Sequence, residues 1–190
     1  MAEQREALLA AASARFQVSE LAGLELDSLI DETGVSREKA QEFFPTRDDL
    51  IRAVYERVLV GMAQDSFAKL PATGLQEQLE YLLRCRYEFI ARHKQSSRHV
   101  LLGAISEHGG WRDPFEDQFW RFSIQVVALL QGAKRAGKIN ATADEALAAR
   151  AFVSFYLTGV LLLLRSEKID ANGACEFTFP LVNALLTPLR

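Results

Sequence analysis

Two cysteines in 190 residues, Cys85 and Cys175, are too few for a disulfide-stapled scaffold, so nothing in the chain asks for an oxidising compartment. Proline is scarce as well, at 5 residues, and glycine stands at 11, which excludes a collagen-like or Pro/Gly-rich disordered chain. The opening stretch MAEQREALLA has neither a basic region nor an apolar run after it, so no signal peptide is expected. The longest apolar stretch lies within residues 151–164. It is shorter than the roughly 20 residues that span a bilayer and it carries Ser154 and Thr158, so no membrane helix is expected. Also missing are a Gly-rich phosphate loop, a Gly-x-Ser-x-Gly elbow, a His-Glu-x-x-His helix and a Cys-x-x-Cys pair. No His, Cys or carboxylate set has metal-ligand spacing. The expectation is a protein that is not an enzyme and uses no metal or cofactor.

What is present is apolar residue in quantity, 49% of the chain, more than a disordered protein carries. This composition implies a globular cytoplasmic protein. Apolar residues recur at steps of three and four, and no β-branched stretch alternates long enough for a strand, so the fold class is all-α. The pattern predicts helices over residues 4–17, 25–32, 37–43 and about 47–70. After Pro71 it predicts helices from 76 to 91 with Thr73 and Gln76 as a cap, and over 98–107 after a polar bend at 93–97. Beyond the His108-Gly109-Gly110 break come helices over 113–135, 143–165 behind a Thr142/Glu145 capping box, and 175–186 with a bend near Pro180. The domain division read from this is a three-helix N-terminal domain, 1–48, and a larger helical domain, 49–190, joined through the long fourth helix.

Charge is divided unevenly. The formal total is −3, but residues 1–50 sum to −6 and the remainder to +3. A segment that acidic is a poor general attractor for phosphates.

The most informative local pattern is Thr33-Gly34-Val35-Ser36 between two short helices. Gly34 accepts a left-handed conformation, Val35 supplies an apolar lock, and Ser36 is a good N-cap for the second of those helices. This is a helix-turn-helix arrangement, whose second helix can enter a DNA major groove. Ser36, Arg37, Lys39 and Gln41 have side chains suited to phosphates or base edges, with Glu38 among them and Thr46 and Arg47 at the start of the next helix. A solvated helix face explains the same charge run.

The stretches LLAAASARF (8–16), LDSLIDETGVS (26–36) and FFPTRDDLIRAVYE (43–56) resemble the tetracycline-repressor (TetR) family of bacterial regulators, with Phe16, Gly23, Gly34, Val35, Ser36, Phe44, Thr46, Asp48 and Leu50 at matching positions. The stretch 137–164 is similar to that family's penultimate helix. The recognition helix departs from the family pattern. Ala40-Gln41 replaces a common Leu-Tyr pair, Phe43 stands where His or Tyr is usual, Glu25 replaces a capping Thr, Ile30 a small Ala, and Arg47 a Lys.

The resemblance implies a C-terminal ligand pocket, a homodimer and a repressor acting at a palindromic operator. Candidates for a small apolar or aromatic ligand are Arg84, Tyr87, His99, Trp111, Phe115, Phe119 and Trp120. Arg86, Glu88, His93 and His108 are further polar groups in reach, though aromatic residues at helical spacing are as readily plain core. Phe152, Phe155, Tyr156, Gly159, Leu163, Leu181 and Leu185 are candidates for a two-fold four-helix interface, against a monomeric core helix. The competing function is a TetR-like small-molecule or protein-binding protein that has lost DNA affinity.

Overall fold

Why the short N-terminal helices stop and start where they do is visible in single residues of the computed structural model, which describes residues 1–20, 24–106 and 112–189, with backbone only at 112–115. Helix α1 spans Ala2–Ser19, α2 Leu26–Thr33, α3 Arg37–Phe43 and α4 Arg47–Ala68. Gly34 ends α2 in the left-handed region (φ 67°), its N–H returning to the Ile30 carbonyl at 2.9 Å. Ser36 opens α3 as its side-chain oxygen accepts from the Lys39 amide. Pro45 and a Thr46/Asp49 box then start α4. Asp49 Oδ2 accepts from the Thr46 hydroxyl at 2.7 Å, and the Asp49 amide donates back to Thr46 Oγ1 at 3.1 Å.

After these come α5 (Leu75–Arg92), α6 (Lys94–Ile105), α7 (Arg112–Arg135), α8 (Glu145–Arg165) and α9 (Ala171–Leu186), with a 3-10 turn at Thr187–Leu189. Among the described residues there is no strand.

The chain forms two compact units, Met1–Gly61 with Gln95–Arg112, and Met62–Lys94 with Asp113–Arg190. In the first, α1, α2 and α3 pack on one another around Leu8, Ala12, Phe16, Leu24, Leu29, Ala40 and Phe44, all essentially without exposure. Phe16 meets Tyr55 edge to face at 6.2 Å, and the Tyr55 hydroxyl hydrogen-bonds Ser97 of α6 at 3.0 Å. In the second unit α5, α8 and α9 pack mutually, with Leu82, Leu83, Tyr87, Phe122, Phe152, Leu163 and Val182 at the centre.

Four helix starts differ from the sequence expectation, and at three of them another group captures the helix end. Helix α9, expected from Cys175, begins at Ala171 because Asp170 accepts from the Gly173 amide at 2.9 Å. Helix α6 begins at Lys94, so the polar segment expected to bend is its first turn. Glu20 at the end of α1 accepts from both the amide and the hydroxyl of Ser96, at 3.1 and 2.7 Å. Helix α5 is capped by Gly74 in extended conformation instead of Thr73. Helix α8 is capped by Asp144, whose Oδ1 accepts from the Leu147 amide at 2.9 Å, while the Thr142 hydroxyl turns to Asn140 Oδ1 at 2.9 Å. Replacing Asp144 with Ala is expected to cost about 1 kcal/mol, whereas Thr142→Ala stays within about 0.5 kcal/mol. Thermal unfolding at fixed protein concentration measures both, and equal losses would place the cap at Thr142. Pro180 sits inside α9 without ending it.

Helix α8 is long and apolar enough to cross a membrane by length and composition alone. Its packing along α5 and α9 gives the apolar run a different use, as the inner helix of a bundle.

Candidate functional site

The helix-turn-helix is built from buried apolar residues that leave one side of α3 to solvent. Val35 and Ala40 are buried against the core of the first unit. With Ala40 inward, Arg37, Glu38 and Gln41 point outward and are exposed, as are Ser36, Thr46 and Arg47, while Lys39 is half-buried. All seven residues expected at a DNA interface therefore belong to α3, to the two turns that flank it or, for Arg47, to the first position of α4.

Their charges are paired within the chain. The Arg37 guanidinium lies 2.8 Å from the Asp27 carboxylate of α2. Lys39 Nζ donates to Glu42 at 2.6 Å, and this bond raises the Lys39 pKa above its ordinary value. Arg47 is 3.3 Å from Glu25 and donates to the Leu24 carbonyl at 3.4 Å. Arg52 pairs with Asp49, and His99 Nε2 is 3.3 Å from Asp48. In the sequence Glu25 reads as the replacement of a capping Thr and Asp27 only as part of the −6 sum; that they face these cations is not visible there. The missing signal is tertiary, because the pairs join α2 to α3 and α4.

The candidate ligand residues divide between the two units. His99 belongs to the first unit, beside Asp48, and does not share the second unit's core with Tyr87. Trp111 and the Phe115 side chain lie outside the described residues. Arg84 is on the surface, bonded to Asn172 at 3.2 Å and stacked over Phe179. Phe119 is half-buried, and Trp120 is 68% exposed on α7 with Ile124 at 64% beside it on the same face.

Among the described residues of that set only Tyr87 is fully enclosed, and the residues around it form the chemically distinctive part of the core. Its ring stacks on Tyr156 at 5.9 Å, and its hydroxyl donates to the Tyr156 carbonyl at 3.2 Å. Burial pushes the Tyr87 phenol well above its ordinary pKa. Phe122 packs on Tyr156 and Phe152 at 5.3 and 5.9 Å. Arg86, 4% exposed, places its guanidinium 3.6 Å from the centre of the Phe122 ring and hydrogen-bonds the Tyr156 side chain. This is a cation held inside an aromatic box. An open cleft of about 270 Å³ in the same unit is lined by Gly74, Leu75, Gln76, Glu77, Lys138, Ile139 and Leu186, none of them a candidate ligand residue. Among the described residues no group of three or more His, Cys, Asp or Glu could hold a metal ion.

The residues expected at a two-fold interface also divide. Phe152, Gly159 and Leu163 are buried inside their own chain, so they are core positions: three turns of α8 pack inward on α5 and α9. Phe155, Tyr156, Leu181 and Leu185 are half-buried. The outward apolar residues are Leu147 and Leu161 on α8 and Phe177 on α9, each about half exposed.

No protein-family profile matches the chain, and no curated protein matches it in sequence. Solved structures do match in shape. A TetR-family transcriptional regulator from Pectobacterium atrosepticum superposes with a TM-score of 0.72 at 20% identity, over 99% of this chain and 94% of that one. The TetR-family regulator of Cytophaga hutchinsonii gives 0.69 at 16%, over 99% and 95%. The fatty acid degradation regulator FadR of Bacillus halodurans gives 0.69 at 15%, over 97% and 99%. Near-complete coverage in both directions leaves no large part of either fold unaccounted for: the chain has the all-α fold of the TetR-family transcriptional regulators.

Proposed function

We propose that this chain is a DNA-binding transcriptional regulator that acts as a homodimeric repressor at a palindromic operator and is released by a small-molecule ligand. The observation that carries the reading is the exposed outer side of α3, with Ser36, Arg37, Gln41, Thr46 and Arg47 set around a Gly34-centred turn whose apolar residues are buried. Residues of the second unit supply the other two parts. The Arg86–Tyr87–Phe122–Tyr156 core is the candidate sensor region. The outward side of α8 and α9, with Leu147, Leu161 and Phe177, is the candidate two-fold contact. A dimer would present two copies of α3 to successive turns of the major groove, and a ligand that prefers one spacing of those copies would shift DNA affinity.

A second reading, a binding protein of the same fold without DNA affinity, is favoured by the ion pairs of Arg37, Lys39 and Arg47 and by the −6 sum over residues 1–50. One titration separates the two. Binding to the DNA upstream of the chain's own gene is expected to fall steeply with salt, about tenfold or more between 50 and 200 mM, as phosphate contacts require. Absence of binding at the low-salt end, with the dimer verified by sedimentation, would establish the second reading.

A further inference from the structure

The three cations that α3 and its following turn offer to DNA are each placed against a carboxylate from the same unit: Arg37 against Asp27, Lys39 against Glu42, Arg47 against Glu25. The spacing is what makes this more than a solvated surface. Asp27 sits in the first turn of α2 and Glu25 caps that helix, so one helix end delivers two carboxylates to cations on two other helices. Glu42 is one turn along from Lys39 on α3 itself. A phosphate approaching any of the three meets a carboxylate already in its place, and must displace it or accept its repulsion. Exposed ion pairs are individually weak, so no single pair closes the surface. In a dimer, however, all three occur twice.

From this placement we infer that Glu25, Asp27 and Glu42 are affinity-determining residues, a built-in competitor for DNA phosphates that keeps the helix-turn-helix a weak binder. The inference rests on the regulator reading above. It names what sets the strength of that interface and in which direction. Removing a carboxylate frees a cation for a phosphate, so affinity rises and its salt dependence steepens together, since each new phosphate contact adds close to one counterion to the exponent. A change in net charge alone raises affinity without regard to which carboxylate is removed.

The test uses the full chain with Glu25→Gln, Asp27→Asn and Glu42→Gln combined. A control of equal net charge carries Glu3→Gln, Asp31→Asn and Glu56→Gln, carboxylates of the same unit that face none of these three cations. Both are titrated with two duplexes, one from upstream of the gene and one of random sequence, over a salt series. Circular dichroism and thermal unfolding establish that each variant is folded. Glu42→Gln alone, on the outer side of α3, serves if the triple variant unfolds, with a gain of about threefold expected. The triple variant is expected to bind at least tenfold more tightly at low salt, with a salt exponent larger by two or more, while the control moves less than threefold. Equal gains in variant and control, or an unchanged exponent, overturn the inference and leave the regulator reading standing. Binding by the variant with none by the parent chain supports the inference and replaces the regulator reading with the second one. No binding by any of them defeats both.

Discussion

Gly159→Ala is expected to destabilise the fold by about 2 kcal/mol, although alanine is the better helix former by about 1 kcal/mol in a helix interior. A Cβ at this position would fall on the Tyr87 hydroxyl and stand 2.6 Å from Tyr87 Cζ, closer than real contacts allow, with Thr178 Cγ2 at a tight 3.0 Å on the other side. Neither neighbour has room to retreat. Tyr87 and Thr178 have no solvent exposure, the Tyr87 ring stacks on Tyr156, and the Thr178 hydroxyl donates to the Ala174 carbonyl at 2.8 Å. Glycine is required because three helices converge there: α8 carries it, α5 carries Tyr87 and α9 carries Thr178. In a chain of this length the loss corresponds to a Tm lower by about 4–8 °C, read at fixed protein concentration because an oligomer's Tm depends on it.

The partner substitution identifies the cause. Tyr87→Leu costs stability by itself, through a cavity and a lost ring stack. In combination with Gly159→Ala its cost is expected to be smaller than the sum, by about 1 kcal/mol or more, because the leucine no longer meets the new methyl group. Additive losses, or a Gly159→Ala chain as stable as the parent, would mean that the helices do not meet so closely at this point. Sedimentation gives a further contrast. In the proposed dimer Gly159 faces its own chain's core, so Gly159→Ala should leave the dimer dissociation constant unchanged, whereas Leu161→Glu on the outward side of α8 should raise it at least tenfold.

How far the sequence reached depends on how local the cause was. Gly34 and Ser36 announce their turn because each bonds to a residue three or four away, and Val35 between them is buried as an apolar lock must be. The start of α6 was illegible, because the group that captures its first turn, Glu20, is 76 residues away from Ser96. At α8 two adequate caps compete within three residues, and only the route of the preceding loop, with Thr142 bonded to Asn140, decides for Asp144. The same helix shows a second limit. A run that is apolar nearly all round has no periodicity from which to choose a buried side, so Phe152 and Leu163 could not be told from Leu147 and Leu161. Charge was legible as a sum and not as an arrangement: a segment at −6 was visible, and which carboxylates face which cations was not.

That arrangement makes the outcome at Arg37 and Lys39 the sharpest test of what the chain does. On the proposed function, changing both to Ala is expected to weaken binding to the upstream duplex about 100-fold at low salt and to reduce the salt exponent by two or more, two cations being lost from each half of the proposed dimer. Stability should move little, since both side chains are on the outer side of α3 and their ion pairs with Asp27 and Glu42 are surface pairs, worth under about 1 kcal/mol each. A loss of affinity with an unchanged Tm therefore reports contact and not folding. The two residues separate by sequence dependence. Arg37, in the first turn of α3, is the better placed for a guanine edge, and its loss alone should narrow the gap between the operator and a random duplex. Lys39, held back by Glu42, should act on both duplexes alike, as a phosphate contact does. Unchanged affinity in the double variant would move the DNA-binding surface off α3 altogether and leave Arg47 and the α4 N-terminus as its remaining support.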